Sequence, residues 1–431
     1  MKKTHTHYHR FVHPNGLRFL AVPMPSAETV TVLVMVGTGS RYETRELNGI
    51  SHFLEHLMFK GTIKRPGALD ISSELDAIGA EYNAFTSKEY TGYYVKCAAA
   101  KLSTALDVIS DIFQHSKFDA EEIDRERGPV KEEINMYFDT PSRYVGTLYE
   151  LLVYGDQPLG WDIAGPKENI DALQRNQFVE YFNTHYVAHN TVVAVAGNIV
   201  PDAINLDVQR YFEHVREHQP IQALEAVEHQ TSPGITLFHK ATEQTHIELG
   251  FRAWSRFDPR FETLEIISTI LGGGMSSRMF VEVRERRGLA YRISTGVTGY
   301  HETGDLTTGA GLTNSKLNEA LTVILDQYRR LVHDPVPEKE LLKAKDYIKG
   351  KFLIGLEPSD AQAGFYGEQE LLENRILTPE ERMAKLDAIT ADHIQKVAQE
   401  LFRPERLNFA LVGPSEEKTE ALREILNTFK P

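Results

Sequence analysis

The order of predicted strands and helices in the first half of the chain is repeated in the second half, and this repetition constrains the fold more than any other feature. A β-branched strand at 29–36 has a counterpart at 245–252. In each half a helix and then a strand pair follow, before further helices. Gly79–Tyr82 also matches Gly288–Tyr291 at the start of the respective strand pairs. The chain therefore reads as a duplicated unit.

Strands followed by runs of helices, without regular alternation, predict the α+β class. We expect two homologous α/β-sandwich domains, each a mainly antiparallel sheet with helices packed on one face. A polar segment at 221–233, flanked by proline and glycine, is the predicted linker between an N-terminal domain at 1–220 and a C-terminal domain at 234–431. A length of 431 residues agrees with two domains.

Charge and hydropathy exclude several classes of protein. The formal net charge of −14 argues against a nucleic-acid partner, because phosphate binding requires a basic surface, and it would mildly steer cationic substrates toward the protein. No run of about 18 apolar residues occurs, so no membrane span is predicted. No signal peptide is visible at the N-terminus, which favours a cytoplasmic protein. Cys97 is the single cysteine, so no intramolecular disulfide can form.

A short helix at about 49–59 carries the residues that point to chemistry. His52 and His56 are four positions apart and share one helix face with Glu55, an H-x-x-E-H arrangement typical of metallopeptidases. Two helix histidines beside a solvated glutamate would give the same pattern without function. A catalytic zinc needs a third protein ligand, and a downstream helix offers Glu126 and Glu133 on one face, with Glu132 pointing about 100° away.

The segment His52-Phe-Leu-Glu-His56-Leu-Met-Phe-Lys-Gly-Thr resembles the pitrilysin/insulinase family of zinc metallopeptidases, the inverzincins. Within that family it is most similar to the bacterial subgroup related to the mitochondrial processing peptidase. The resemblance implies one zinc per chain, held by His52, His56 and a glutamate that closes a Glu-x₆-Glu pattern about 77 residues after the second histidine. Since 133 − 56 = 77, that ligand is Glu133, and Glu126 is its supporting partner.

The same resemblance assigns two further sites. Arg284 and Tyr291 fit the family's Arg-x₆-Tyr pair, which helps to hold the substrate carbonyl and the transition state. The family's edge strand, which pairs with the substrate backbone, corresponds to Asn83, Ala84, Phe85 and Thr86. The second half has no metal motif, because Lys351 stands where the first half has Glu133.

One feature departs from a regular ligand helix. Gly128-Pro129 lies between Glu126 and Glu133, and proline inside a helix removes a hydrogen bond. We expect the helix to be interrupted there, with Pro129 at the start of a new helical segment.

The implied function is that of a zinc endopeptidase that hydrolyses extended or unfolded peptides inside a clamshell chamber. Glu55 would take a proton from the zinc-bound water and deliver it to the leaving amine. Related small members work as two chains, and since this chain carries both site halves, a homodimer is expected. The alternatives are a catalytically silent structural or partner subunit of the same fold, and a metal-dependent hydrolase of small amides.

Overall fold

The computed structural model describes residues 7–415 and 419–430, which form two compact units. As far as it is described, the first unit comprises Met1–Ile134, Asp162–Leu224 and Leu353–Thr378, and the second comprises Asn135–Trp161, Glu225–Phe352 and Pro379–Pro431. Each unit thus includes a segment from the other half of the chain. The domain boundaries at 221–233 stay a prediction about the duplicated sequence.

The described strands and helices occur in groups along both halves of the chain and do not alternate regularly. The strands are β1 His9–Val12, β2 Arg18–Pro23, β3 Thr29–Val36, β4 Glu81–Thr86, β5 Thr91–Ala98, β6 Thr191–Gly197, β7 Gly234–His239, β8 Gln244–Trp254, β9 Ala290–Gly299, β10 Thr303–Thr313 and β11 Leu407–Gly413. The helices are α1 Ile50–Leu57, α2 Ala68–Asp76, α3 Leu102–His115, α4 Ala120–Asp139, α5 Pro141–Tyr154, α6 Lys167–Ala172, α7 Arg175–His185, α8 Pro201–Tyr211, α9 Phe261–Gly272, α10 Leu317–His333, α11 Glu338–Gly355, α12 Ser359–Leu372, α13 Pro379–Asp387, α14 Ala391–Leu401 and α15 Thr419–Asn427.

The sheet of the first unit has the strand order β1-β2-β6-β3-β5-β4. Its neighbouring strands are antiparallel except for the parallel pair β2 and β6. β3 is central, and its run of apolar residues is buried because both faces of the sheet are covered. β4 lies at the edge, beside β5, which leaves its outer side as a sheet edge.

Helices cover the two faces of this sheet unequally. On one face, Val32 and Val34 belong to a large core that includes Phe53 of α1 and Ile109 of α3. On the other face, the single helix α12 packs its Tyr366 and neighbouring small residues against the apolar side chains of β3. Because α12 packs on this sheet, the first unit includes a segment from the second half of the chain.

The sheet of the second unit has the order β7-β11-β8-β10-β9, again mainly antiparallel with one parallel pair, β7 and β11. A core of Leu249, Phe251, Ile267 and Leu321 lies between one face and the helices α9, α10 and α14. The helix α5 packs on the opposite face through residues such as Tyr149. The predicted fold class is confirmed, and the structure adds one helix on the opposite face of each sheet.

The expected interruption at Pro129 is wrong, because α4 runs continuously from Ala120 to Asp139 with Pro129 inside it. The proline removes one backbone hydrogen bond, but the turns on both sides are held by burial of Ile123 and Val130 in the core. The side chains of Glu126 and Glu133 therefore project from one uninterrupted helix. Among residues 7–415 and 419–430, no helix is both long enough and apolar enough to cross a membrane.

Candidate metal centre

The helix α1 is fixed at its N-terminus by a buried carboxylate. Gly49 precedes the helix with a left-handed φ of 103°, a conformation that favours glycine. Glu43, which is 3% exposed, accepts hydrogen bonds from the backbone N–H groups of Gly49 and Ser51, both at 2.8 Å, and from the Asn48 amide at 2.9 Å. Phe53, with its apolar neighbours on α1, anchors the helix in the core. The helix is thereby held at its start and along its length.

Two elements of the first unit bring His52, His56 and Glu133 together. Each of these residues offers a ligand atom, and the three atoms lie within 4.8 Å of one another. The Nε2 atoms of His52 and His56 are each 3.4 Å from Oε2 of Glu133. Among the described residues no other group of three histidine, cysteine or acidic side chains has this arrangement.

The donor set fits zinc. Two imidazole nitrogens and one carboxylate oxygen form a common ligand set of catalytic zinc sites. Ligands about 2.1 Å from a tetrahedral ion are separated from each other by roughly 3.4 Å. The two nitrogen–oxygen distances of 3.4 Å match that separation. The third separation, between the two histidine nitrogens, is no more than 4.8 Å, so the three side chains lie close enough to share one ion.

Acidic groups surround the histidines. Burial lowers the pKa of His52, but the hydrogen-bonded carboxylate of Glu133 and the charges of Glu55 and Asp162 raise it, and the pKa lies above its ordinary value. The same carboxylates would favour a bound cation. The acidic side chains around the buried His52 ring thus provide the negative charge that favours binding of a metal cation.

Glu126 orients the second histidine. Its Oε1 is 3.0 Å from Nδ1 of His56, and its Oε2 is 2.5 Å from Nζ of Lys60. Burial raises the pKa of Glu126, but the hydrogen bonds with His56 and Lys60 outweigh it, and the pKa lies below its ordinary value. An ionised carboxylate on Nδ1 leaves Nε2 of His56 directed toward Glu133. Glu132 is exposed and is not part of the cluster.

Glu55 lies on the same helix and is held by the edge strand. The hydroxyl of Thr86 donates a hydrogen bond of 2.5 Å to Oε2 of Glu55. Thr86 is the last residue of β4, and Asn83, Ala84 and Phe85 precede it along the sheet edge. The strand assigned to the substrate and the carboxylate assigned to catalysis are thus joined by one hydrogen bond.

Arg284 and Tyr291 belong to the second unit. Arg284 lies in a π-helical segment, Phe280–Glu285, and such segments often occur at functional sites. Its guanidinium carbon is 4.7 Å from the ring centroid of Phe280 and 5.5 Å from that of Tyr291. Tyr291, near the start of β9, is 76% exposed. The two side chains are therefore in contact range of each other, with Tyr291 open to solvent.

Sequence reasoning missed three contributors to this centre. The position of Glu43 in the sequence, outside the helix, did not indicate that its carboxylate accepts hydrogen bonds from the N–H groups at the start of α1. The hydrogen bond from Thr86 to Glu55 depends on how β4 packs against α1. Lys60 could have been noticed as a basic residue one turn after His56, on the side of Glu126.

Two family models match the chain. The model for the insulinase domain (peptidase family M16) matches residues 18–167, and the model for the peptidase M16 inactive domain matches residues 172–348. The first range contains His52, Glu55, His56 and Glu133. The second contains Arg284 and Tyr291.

Relatives match over nearly the whole chain. The uncharacterized zinc protease YmxG of Bacillus subtilis is 36% identical over 94% of this chain and 98% of its own length. An uncharacterized zinc protease of Streptomyces coelicolor is 34% identical over 94% of this chain and 89% of its own length. Both relatives are named as zinc proteases.

Solved structures share the fold at lower identity. A protease from Helicobacter pylori matches with a TM-score of 0.88 at 21% identity, over 94% of this chain and 99% of that chain. A peptidase M16 inactive domain from Pseudomonas fluorescens matches with a TM-score of 0.87 at 17% identity, over 94% of this chain and 98% of that chain.

Proposed function

Because this chain belongs to the insulinase family of peptidases (family M16), we propose that it is a zinc-dependent endopeptidase that hydrolyses extended or unfolded peptides. The observation that carries the proposal is the convergence of His52, His56 and Glu133 within 4.8 Å of one another, with Glu55 on the same helix as the histidines.

His52, His56 and Glu133 would hold one zinc ion per chain. When bound, zinc supplies a Lewis acid that polarises the scissile carbonyl and lowers the pKa of a water molecule. Glu126 keeps the His56 ring in the orientation that this requires, through its 3.0 Å contact with Nδ1.

Glu55 is the proposed general base. Its Oε2 accepts the hydrogen bond of Thr86, which restricts rotation of the carboxylate. The other oxygen is then positioned to take the proton of the attacking water and to deliver it to the leaving amine. A general base of this kind contributes about 10²- to 10⁴-fold to the rate.

The substrate would bind along β4 by adding a strand to the edge of the sheet. Backbone hydrogen bonds to Asn83, Ala84 and Phe85 would select an extended peptide whatever its side chains. Since Thr86 continues this strand and contacts Glu55, a peptide aligned on β4 would be aligned with the base as well. Binding of this kind would favour unfolded peptides over compact proteins.

On the sequence resemblance we also assign Arg284 and Tyr291 to stabilisation of the developing oxyanion. The same resemblance supports a homodimer. A fully active protein that sediments as a monomer at its working concentration would contradict the dimer.

The test combines zinc content with cleavage of an unfolded peptide library. We expect Glu55→Gln to retain zinc and lose about 10²- to 10⁴-fold in turnover, and Glu133→Ala to lose both zinc and activity. The matched control is Glu132→Ala, which should retain both. Normal turnover by zinc-loaded Glu55→Gln protein would refute the mechanism.

The same assay separates the alternatives. A wild-type protein that binds zinc but cleaves no peptide would be a silent partner subunit, and cleavage of small amides alone would indicate a small-amide hydrolase. The complete set of His52, Glu55, His56 and Glu133 argues against the silent subunit, because such a subunit has no need to retain it.

A further inference from the structure

A polar pocket of about 300 Å³ lies on the face of the second sheet that α5 covers only in part. Strands β8, β9 and β10 form its floor, and the first turn of α5 borders it. The side chains that matter for its chemistry are His246, Glu248, Tyr291 and Arg292. Tyr291, assigned above to the reaction, is therefore part of the pocket wall.

The floor of the pocket is shaped around one carboxylate. In the sheet, Gly309 of β10 lies opposite Glu248 of β8 on one side and Ser294 of β9 on the other. A β-carbon added at Gly309 would lie 2.7 Å from Oε1 of Glu248, closer than real β-carbons approach. The glycine therefore allows the Glu248 side chain to lie across the neighbouring strand, inside the pocket.

Glu248 has no partner of opposite charge within bonding distance. Neither a hydrogen bond nor an ion pair joins its carboxylate to any of the described residues. Burial, and then the charge of Asp305, raise the pKa of Glu248 to about 7, while the charge of Arg292 lowers it. Glu248 is partly buried, and a carboxylate in that position without a partner is unusual, because removing its charge from water is costly.

The corresponding face of the first sheet is apolar beneath its covering helix. There, β3 directs Leu33 and Met35 toward α12, where they pack with Tyr366 in a dry cluster. The predicted duplication relates β3 to β8, and α5 covers the second sheet as α12 covers the first. Apolar residues are thus sufficient to stabilise this face of the sheet, and a carboxylate such as Glu248 is not needed there for stability.

We propose that the Glu248 pocket binds the ammonium or guanidinium group of a lysine or arginine side chain of the peptide substrate. The proposal rests on the proposed function, since Tyr291 connects the pocket to the reaction. A cationic group would pair with the carboxylate and offset its desolvation. Burial lowers the pKa of His246, so its neutral ring can accept a further hydrogen bond. The net charge of −14 would attract such substrates.

Arg292 is the rival partner for Glu248. It is exposed, lies opposite Gly311 in the sheet, and its positive charge lowers the pKa of Glu248. If Glu248 served only to pair with Arg292, then Arg292→Gln and Glu248→Gln would have the same effect on activity. If Glu248 serves the substrate, removal of Arg292 should preserve or increase the preference for basic peptides.

The first experiment measures kcat/KM for peptides that differ only in lysine or norleucine at one position, scanned along the peptide. We expect the wild type to prefer lysine at one position by about tenfold or more. Glu248→Gln should bring that ratio close to one, chiefly by lowering kcat/KM for the lysine peptide. The control Glu338→Gln, an equal charge change at an exposed position, should keep the wild-type ratio. An unchanged ratio in Glu248→Gln would overturn the proposal.

A binding experiment separates failure of the pocket from failure of the proposed function. Titrations of Nα-acetyl-lysine amide and Nα-acetyl-norleucine amide, followed by NMR, require no turnover. Binding of the lysine compound to the wild type but about tenfold weaker binding to Glu248→Gln would support the pocket even if no peptide were cleaved. Equal binding to both proteins, or none at concentrations up to about 20 mM, would overturn the pocket and leave peptide cleavage untouched.

Discussion

Replacement of Glu43 by glutamine should change how the stability of the protein depends on pH. Glu43 is buried before α1 and accepts three hydrogen bonds from Asn48, Gly49 and Ser51. Two effects oppose each other at this carboxylate. Burial favours the protonated form, whereas the three N–H donors favour the ionised form. Burial is the larger effect and raises the pKa from 4.5 to about 7.

The size and sign of the effect follow from this shift. One pKa unit corresponds to about 1.4 kcal/mol, so a shift of roughly 2.5 units amounts to about 3 kcal/mol. A carboxyl whose pKa is higher in the folded state binds its proton more tightly there. Its contribution to stability is therefore complete below pH 4.5 and is lost as the pH rises through 7. Glutamine cannot titrate and lacks this dependence.

The assay is urea denaturation of wild type and Glu43→Gln at pH values from 4.5 to 8, with a chelator present so that metal binding does not contribute. The quantity of interest is the difference in the free energy of unfolding between the two proteins. We expect the wild type to lose about 3 kcal/mol relative to the variant between pH 4.5 and 8. Glu28→Gln, at an exposed position, controls for the change in net charge.

The opposite slope would refute the reasoning. If the wild type gained stability relative to Glu43→Gln as the pH rose, the hydrogen bonds from Gly49, Ser51 and Asn48 would outweigh burial. Glu43 would then be an ionised cap of α1. A constant difference would mean that its pKa is the same in the folded and unfolded states.

Three further predictions concern the centre itself. Thr86→Val should lower kcat by about tenfold with little change in KM or zinc content, because it removes only the hydrogen bond that orients Glu55; a changed zinc content would contradict this. Glu126→Gln should weaken zinc binding by about 10- to 100-fold in competition with a chelator, and unchanged affinity would show that Glu126 does not orient His56. Mixing inactive Glu55→Gln and Arg284→Ala chains should restore activity if the arginine acts in the partner chain of a dimer, and should leave it absent if it acts in its own chain.

The helical periodicity of the sequence predicted the arrangement of site residues that lie on a single helix. His52, Glu55 and His56 share a face of α1 because of the helical repeat alone, and the structure places them there. Glu133 could be chosen over Glu132 only through spacing relative to a known family. The role of Pro129 was misjudged, since local propensity indicated a break where burial of neighbouring residues holds the helix together.

Contacts that depend on packing between elements could not be predicted. The hydrogen bond from Thr86 to Glu55 requires β4 to lie beside α1, and the acceptance of N–H groups by Glu43 requires the chain to turn back on itself. The space for Glu248 depends on the register that places Gly309 opposite it. Each of these contacts depends on how segments distant in sequence are placed against each other, and the residue types alone do not determine that placement.

The duplication suggests a reason why the proposed metal ligands lie in one unit and not in the other. A metal centre requires ligands from two helices, α1 and α4, at one point, so a change in either helix removes it. In the second half Lys351 of α11 stands in place of Glu133, and its ammonium group lies 5.9 Å from the ring centroid of Tyr347. A cation there would repel a metal ion. The second unit instead places its unusual polar groups, Glu248 and Tyr291, on the other face of its sheet. The two proposed sites thus lie on different faces of one fold, and we therefore expect substitutions in the Glu248 pocket to alter the choice of substrate and to leave zinc binding unchanged.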